Sequence, residues 1–553
     1  MLDGPKRALA DGIANDRYVF WLGSGISREK MPDLSDLAKK LLCTLQGRIE
    51  QADPNCRYRK ALERVVSLTT PSPEEWVVID WAIAPDAWPV YDAIASRLVN
   101  NYARMLNVPV DGEDEDFMLW DVLDAATIYS NPAAEPDAEH LCLAALICEG
   151  VASQMPSANW DPLVERAIAV LAGGQPVLRV AIAPDDVRSN SRRGNLYKFH
   201  GCAQAAHDDG PNYRHLMVGR QSQINSWIAD SPVMASFLTH LIVTKPTLML
   251  GLSAQDANIQ SLFVHARVQM AWPWPSSPPA YAFSENALGG DQAGLLQNVY
   301  RGAYTAVTRP QIEDEALVKA YAKPLLLSLY LHVFVAKLEA LLAHCLEGLP
   351  AVDRNKLLGG LQHARDAVAG HMAPTPELVR KLIVNVGRTI SMLRGGSLPT
   401  PAKGLYSPLT PEPVDRMPAD PNLATSGLGE FAVASSLIGL GLQRGLWSSE
   451  AADLSDDASG AFVVHGRSGP ARIYFAAGPH AAIRLGTNGL IADNDDAVIV
   501  HSHEIAPQQA RTPRRAPGRT GLASLREVSI QALLEEGTEV EDLMERFRSK
   551  IAL

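Results

Sequence analysis

Four short segments set polar, chemistry-bearing residues directly after apolar runs. Tyr18–Leu22 runs into Gly23-Ser24-Gly25-Ile26-Ser27, a turn of the kind that lets a backbone approach a phosphate. Asn159 and Asp161 lie in Ser157-Ala158-Asn159-Trp160-Asp161, and His200 closes the run Tyr197-Lys198-Phe199 before Gly201. Gly251, Ser253 and Asp256 follow the apolar Thr247–Leu250. An amide such as Asn159 can orient a water or a hydroxyl without adding a buried charge. An imidazole such as His200 can take a proton near neutral pH. Asp161 and Asp256 can accept hydroxyls or hold loops, and the amides of the Gly23–Ser27 turn would face an anion. Each residue also has an ordinary structural role open to it. His200 is one of 14 histidines, Asn159 can cap a helix beginning near Asp161-Pro162, and Ser253 and Asp256 can cap a helix over 257–270.

The elements that must position these residues alternate along the first 310 positions. Strands are expected at Tyr18–Leu22, Pro176–Ile182, Asn195–Phe199, Thr247–Leu252, Ala280–Phe283 and Ala303–Thr308, with helical stretches between several of them. That alternation predicts an α/β fold with a Rossmann-like, mostly parallel sheet over 1–310 and a helical insertion at 50–150. Asp33 or Ser35 is placed to cap a helix over Leu34–Leu45. Residues 311–394 read as a helical region, and 395–422, with seven prolines, as a linker. Residues 423–553 read as a small C-terminal α+β module, with strands at Phe462–His465, Ala471–Ala477, Ala481–Leu485 and Ala497–His501 and a closing helix over Ser529–Ile551.

Composition narrows the function classes. The 553 residues are 47% hydrophobic and 20% charged, an ordinary globular balance. A net charge of −12 gives no bulk attraction to nucleic acid or anionic lipid, so neither partner is expected. Six scattered cysteines form no C-x-x-C pair, which fits reduced thiols in a cytoplasmic protein and predicts no structural zinc. The N-terminal residues, interrupted by Asp3, Asp11 and Asp16, lack the apolar run of a signal peptide. Leu141–Cys148 and Phe431–Leu442 are too short to cross a bilayer, so no membrane association is expected. Asp493, Asp495, Asp496, His501, His503 and Glu504 match no metal-ligand spacing and read as a solvated acidic turn. Arg511, Arg514, Arg515 and Arg519 read as a solvated loop.

Taken together, the four segments resemble the sirtuin-like proteins. Gly23-Ser24-Gly25-Ile26-Ser27 with Met31-Pro32-Asp33-Leu34 is similar to that family's G-A-G-x-S and G-I-P-D-F-R motifs. Asn159-Trp160-Asp161-Pro162-Leu163-Val164-Glu165 resembles the N-Y-D-x-L-x-E form of its bacterial members. Lys198-Phe199-His200-Gly201 resembles K-x-H-G, and Gly251-Leu252-Ser253-Ala254-Gln255-Asp256 resembles G-x-S-x-x-D. Deacylases of the family carry two C-x-x-C pairs for zinc after the His-Gly element and Phe-Arg after the Pro-Asp pair. Here Cys202–Arg220 has one cysteine and no peptide-binding segment is recognisable after it, two absences shared with the bacterial NAD-hydrolysing branch. Leu34-Ser35 after Asp33 departs from the family's nicotinamide-side loop.

The resemblance implies an NAD⁺ glycohydrolase with Asn159 and His200 as catalytic residues and no metal. It implies that Gly23, Ser24, Gly25, Ser27, Asp33, Asp161, Gly251, Ser253 and Asp256 hold NAD, which is the substrate. It also implies a role in bacterial antiviral defence by NAD⁺ depletion, as a homo-oligomer or with an ATPase or Argonaute-like partner. A protein deacylase or ADP-ribosyltransferase with the same pocket, and a non-catalytic NAD or ADP-ribose sensor, are the alternatives.

Overall fold

The computed structural model describes residues 2–346, 348–370, 374–491, 496–503 and 526–551. Six parallel strands form its first sheet: β1 (Val19–Leu22), β2 (Gln154–Ser157), β3 (Leu178–Ala181), β4 (Gly194–Lys198), β5 (Thr247–Leu250) and β6 (Tyr281–Phe283). Their order is β3-β4-β2-β1-β5-β6. The continuous apolar runs of β1 and β5 follow from burial on both faces. Phe20, Leu22, Leu248 and Leu250 pack into one apolar layer, and Val19, Trp21 and Met249 into the other. This is the Rossmann-like α/β architecture that the alternation of elements predicts.

In the first sheet two strand assignments differ from the sequence reading. β2, in the middle of the sheet, has the sequence Gln-Met-Pro-Ser and carries little apolar signal; a proline there argues against a central strand. Residues 303–308 form turns instead of a strand. The Thr305 amide donates to the Thr308 hydroxyl (3.0 Å) and the Thr308 amide to the Thr305 hydroxyl (3.3 Å), and these local bonds compete with a ladder.

The helical insertion makes its own core. Helices between Leu34 and Tyr129 bury Leu41, Leu62, Leu98 and Leu119 together with Ala203, Ala206 and Met217 from the segment after β4. The helix Ala138–Cys148, expected within that insertion, packs into the sheet layer instead, with every residue buried. It is apolar around its whole circumference, so no face suits solvent.

The C-terminal module holds a second sheet of β7 (Ser448–Ala451), β8 (Phe462–Gly466), β9 (Gly469–Ala476), β10 (Ala497–His501) and β11 (Arg526–Ser529), in the order β11-β10-β9-β8-β7. β7, β8 and β9 are antiparallel neighbours, while β9, β10 and β11 run parallel. The stretch expected as a strand at Ala481–Leu485 is the helix Pro479–Thr487, with Pro479 in its first turn, where the missing N–H costs nothing. The expected closing helix is β11 followed by two helices, Ile530–Glu536 and Val540–Ile551, separated at Gly537.

Among the described residues one helix, spanning Ala322–Ala343, is long and apolar enough to cross a membrane, and 72% of its most apolar window is buried in the fold. From it Lys337, with no exposed surface, donates to Glu149 Oε2 (2.7 Å), to the Glu149 carbonyl (2.7 Å) and to the Thr410 carbonyl (2.8 Å). Tyr406 and the Leu409 amide donate to Glu149 Oε1. Residues 395–422 form only 3₁₀ turns, as their prolines require, yet Tyr406, Leu409 and Met417 are buried. This segment is a packed strap, not a free spacer. Lys337→Met leaves Glu149 as an uncompensated buried charge and is expected to lower the unfolding free energy by about 3–5 kcal/mol, read from denaturant titration.

Candidate active site

Strand register brings the four segments together. Leu22 pairs with Ser157 on one side and with Leu250 on the other, and Ser157 pairs with Lys198. Four neighbouring strands therefore end in one row, with strands about 4.8 Å apart. Asn159 and His200 each stand two residues beyond a paired position, so they emerge side by side. Gly23 and Gly251 each stand one residue beyond such a position. The chain leaves β1 toward β2 on one side and later places β5 on the other, a topological switch point where parallel sheets bind ligands.

A cavity of about 440 Å³ opens over this row, and Gly23, Ser24, Gly25, Ser27, Asp33, Asn159, Asp161, His200, Gly251, Ser253 and Asp256 all line it. Tyr102, Leu106 and Tyr129 of the helical insertion wall its other side. Asn159 Nδ2 donates to the Gly23 carbonyl (3.1 Å), which fixes the amide's orientation. Its Oδ1 is buried and has no hydrogen-bond partner. A buried acceptor without a partner is costly, and a ligand hydroxyl or a water would satisfy it.

His200 is 4% exposed. Asn258 Oδ1 accepts from the Ile259 amide (2.9 Å), so Asn258 Nδ2 donates to His200 Nε2 (2.6 Å) and the ring proton sits on Nδ1. Burial pushes the imidazole's pKa down, opposed by the nearby Asp256 carboxylate and the Asn258 hydrogen bond, and His200 is neutral at pH 7. Tyr102 donates to Asp256, tying the insertion to the loop after β5. Burial and that carboxylate hold the Tyr102 hydroxyl protonated.

The other residues are divided between lining and scaffolding. Asp33 Oδ1 accepts from the amides of Ser35 (2.8 Å) and Asp36 (3.0 Å), capping the helix Leu34–Gly47. Asp161 Oδ1 accepts from the Leu163 amide (3.1 Å) at the start of the helix Leu163–Ala172. Both carboxylates are thereby engaged locally. Ser24 and Ser253 stand exposed at the mouth.

The glycine turn departs from the expected phosphate cradle. Its Gly23 amide donates to the Leu250 carbonyl and its Gly25 amide to the Gly251 carbonyl, both at 3.0 Å, so neither faces an anion. The turn continues as a 3₁₀ helix, Ser24–Ser27, and the next α-helix begins only at Leu34, so no long helix N-terminus points into it. Its glycines serve a close approach between loops. A Cβ on Gly23 would fall 2.4 Å from the Gly251 carbonyl oxygen, and one on Gly251 2.6 Å from the Ile26 nitrogen. Side chains that line the cavity, Ser27 and Arg28 among them, can add donors for an anion.

Sequence reasoning missed Arg28, Tyr102, Tyr129, Asn258, Glu285 and His140. All but Asn258 and His140 line the cavity, and those two hold residues that do. Asn258 lay two residues beyond the G-x-S-x-x-D element and was legible there; the others carried no signal. Among the described residues no group of three or more His, Cys, Asp or Glu side chains is gathered as a metal would need. Asp493, Asp495, Glu504, Arg511, Arg514, Arg515 and Arg519 lie outside the described residues. Of their neighbours, Asp496 pairs with Arg472 (2.9 Å), and His501 and His503 are engaged by the His503 carbonyl and by Gln531.

Residues 155–300 match the family model of the SIR2-like domain, a span that includes Asn159, Asp161, His200, Gly251, Ser253 and Asp256 and leaves the glycine turn outside. No curated protein matches the chain. The chain carries a SIR2-like domain, which ties it to NAD-related chemistry.

Two buried imidazoles make stability depend on pH. Burial pushes His140 down to about 4 and lowers His200 in the same direction, so both are neutral in the folded protein while the unfolded chain protonates near 6.5. The unfolded state then binds more protons, and stability present above pH 6.5 is lost as the pH falls toward 4. For His140 the loss is on the order of 3 kcal/mol. Denaturant titrations between pH 7 and 4 should show that decline, and His140→Gln should flatten it.

Proposed function

We propose that this SIR2-like domain hydrolyses NAD⁺ to nicotinamide and ADP-ribose. The observation that carries the reading is the buried, unpartnered Asn159 Oδ1, placed beside His200 in one cavity at the sheet's switch point. Breaking the bond between nicotinamide nitrogen and ribose C1′ returns the bonding electrons to the pyridine ring, which leaves neutral, and develops positive charge on the ribose. Such a reaction needs little acid assistance; positioning and polar stabilisation are the main demands. Asn159 Oδ1 accepts from the attacking water or from a ribose hydroxyl and holds it over C1′. His200 takes the proton released as the new C–O bond forms. Its lone pair lies at Nε2, covered by the Asn258 amide, so that step requires Asn258 to swing off Nε2 and expose it to the water.

The physiological side of the reading rests on resemblance to bacterial NAD-hydrolysing proteins. It comprises antiviral defence by NAD⁺ depletion, in the cytoplasm, as a homo-oligomer or with an ATPase or Argonaute-like partner. The absence of C-x-x-C pairs in Cys202–Arg220 favours water over an acylated peptide as the acceptor.

Nicotinamide release from NAD⁺ by the purified protein, followed across protein concentrations and without peptide, tests the reading. Asn159→Ala and His200→Ala should each lower turnover by at least about 100-fold with the fold intact by circular dichroism. Release that requires an acylated peptide would make the protein a deacylase. Tight NAD⁺ binding without turnover at any concentration or with any partner would make it a sensor.

A further inference from the structure

We propose that His140, outside the cavity, is a positioning residue that turns the Ser27 hydroxyl into a hydrogen-bond donor for the diphosphate of the bound dinucleotide. The inference rests on the dinucleotide reading of the cavity and adds a residue that its sequence motifs do not contain.

The argument is one of hydrogen-bond direction. His140 lies in the first turn of the buried helix Ala138–Cys148 and has no exposed surface. The Asp137 amide, which can only donate, points at His140 Nδ1 at 3.1 Å. Nδ1 must therefore carry the lone pair, and the ring proton sits on Nε2. His140 Nε2 stands 3.1 Å from Ser27 Oγ, so the imidazole donates and the hydroxyl accepts. This direction is opposite to that of a serine activated by a histidine base, and it excludes Ser27 as a nucleophile. Its consequence is that the Ser27 O–H proton has no acceptor among the described residues, while Ser27 lines the cavity immediately after the glycine turn.

That proton fills a need. The Gly23 and Gly25 amides are engaged by Leu250 and Gly251, so two of the turn's backbone donors are committed within the protein. A hydroxyl 2% exposed, held with its proton free, supplies a donor at low reorganisation cost. Because both ring nitrogens of His140 are committed, the hydroxyl cannot reverse its role without breaking the Asp137 contact.

Titration calorimetry of ADP-ribose with the full chain tests this, because ADP-ribose retains the diphosphate and is not turned over. Ser27→Ala and His140→Leu should each weaken binding by about tenfold. The double variant should be no weaker than either single one, since His140 acts only through Ser27. His140→Gln, which keeps an N–H donor at a similar reach, should restore most of the affinity. Additive losses near 100-fold, or wild-type affinity in Ser27→Ala, overturn the proposal; the second readout stands even if His140→Leu does not fold. Wild-type protein that binds ADP-ribose but releases no nicotinamide would defeat the hydrolase reading and leave this one testable.

Discussion

Two backbone turns, one after β1 and one after β5, press against each other at distances that no side chain could share. The Gly25 amide bonds the Gly251 carbonyl, and Gly251 itself adopts a φ of +59°, a conformation that suits glycine. Everything in the cavity is referred to this contact. It holds the Gly23 carbonyl where Asn159 Nδ2 can reach it, and it seats the buried Ser27 in the cavity lining. With the in-register ends of β4, β2, β1 and β5, it converts separations of 136 residues, between Gly23 and Asn159, into a single row.

Around that row the polar groups are ordered by burial more than by charge. His140 and His200 are both neutral, and in each the position of the ring proton is dictated by one neighbouring group. Asp256 accepts from Tyr102 and Asp33 from helix amides, and the cavity also presents hydroxyls, the Asn159 amide oxygen and the His200 imidazole, with Arg28 and Glu285 among its charged groups. Such a lining suits a reaction in which charge develops on the ligand and the protein adds little of its own.

Much of this was legible in the sequence for a physical reason. Strands buried on both faces appear as unbroken apolar runs, as in Val19–Leu22 and Thr247–Leu250, and polar residues that follow them sit at the sheet's end by construction. β2 escaped because Gln154 and Pro156 break the run, and its place in the sheet is fixed by pairing with Tyr197 and Lys198, which no local pattern reports. His140 escaped for a related reason. It sits in an apolar helix, where a lone imidazole looks structural, and only the tertiary approach of Ser27 gives it a direction. The glycine turn reads in the sequence as an approach to a phosphate, and its glycines also make room for the loop after β5; sequence shows that space is needed, not what fills it. The prolines of 395–422 similarly forbid regular structure without revealing that Tyr406 and Leu409 are buried.

The grip on Glu149 has a practical consequence for dissecting the molecule. A truncation after residue 310 strips that carboxylate of Lys337, Tyr406 and the Leu409 amide at once, and one after 394 still removes the last two. Either cut opens an ionisable group at the foot of the sheet's innermost helix to whatever refills the gap. Preparations meant to isolate the chemistry of the amino-terminal half should therefore retain the chain at least through the strap.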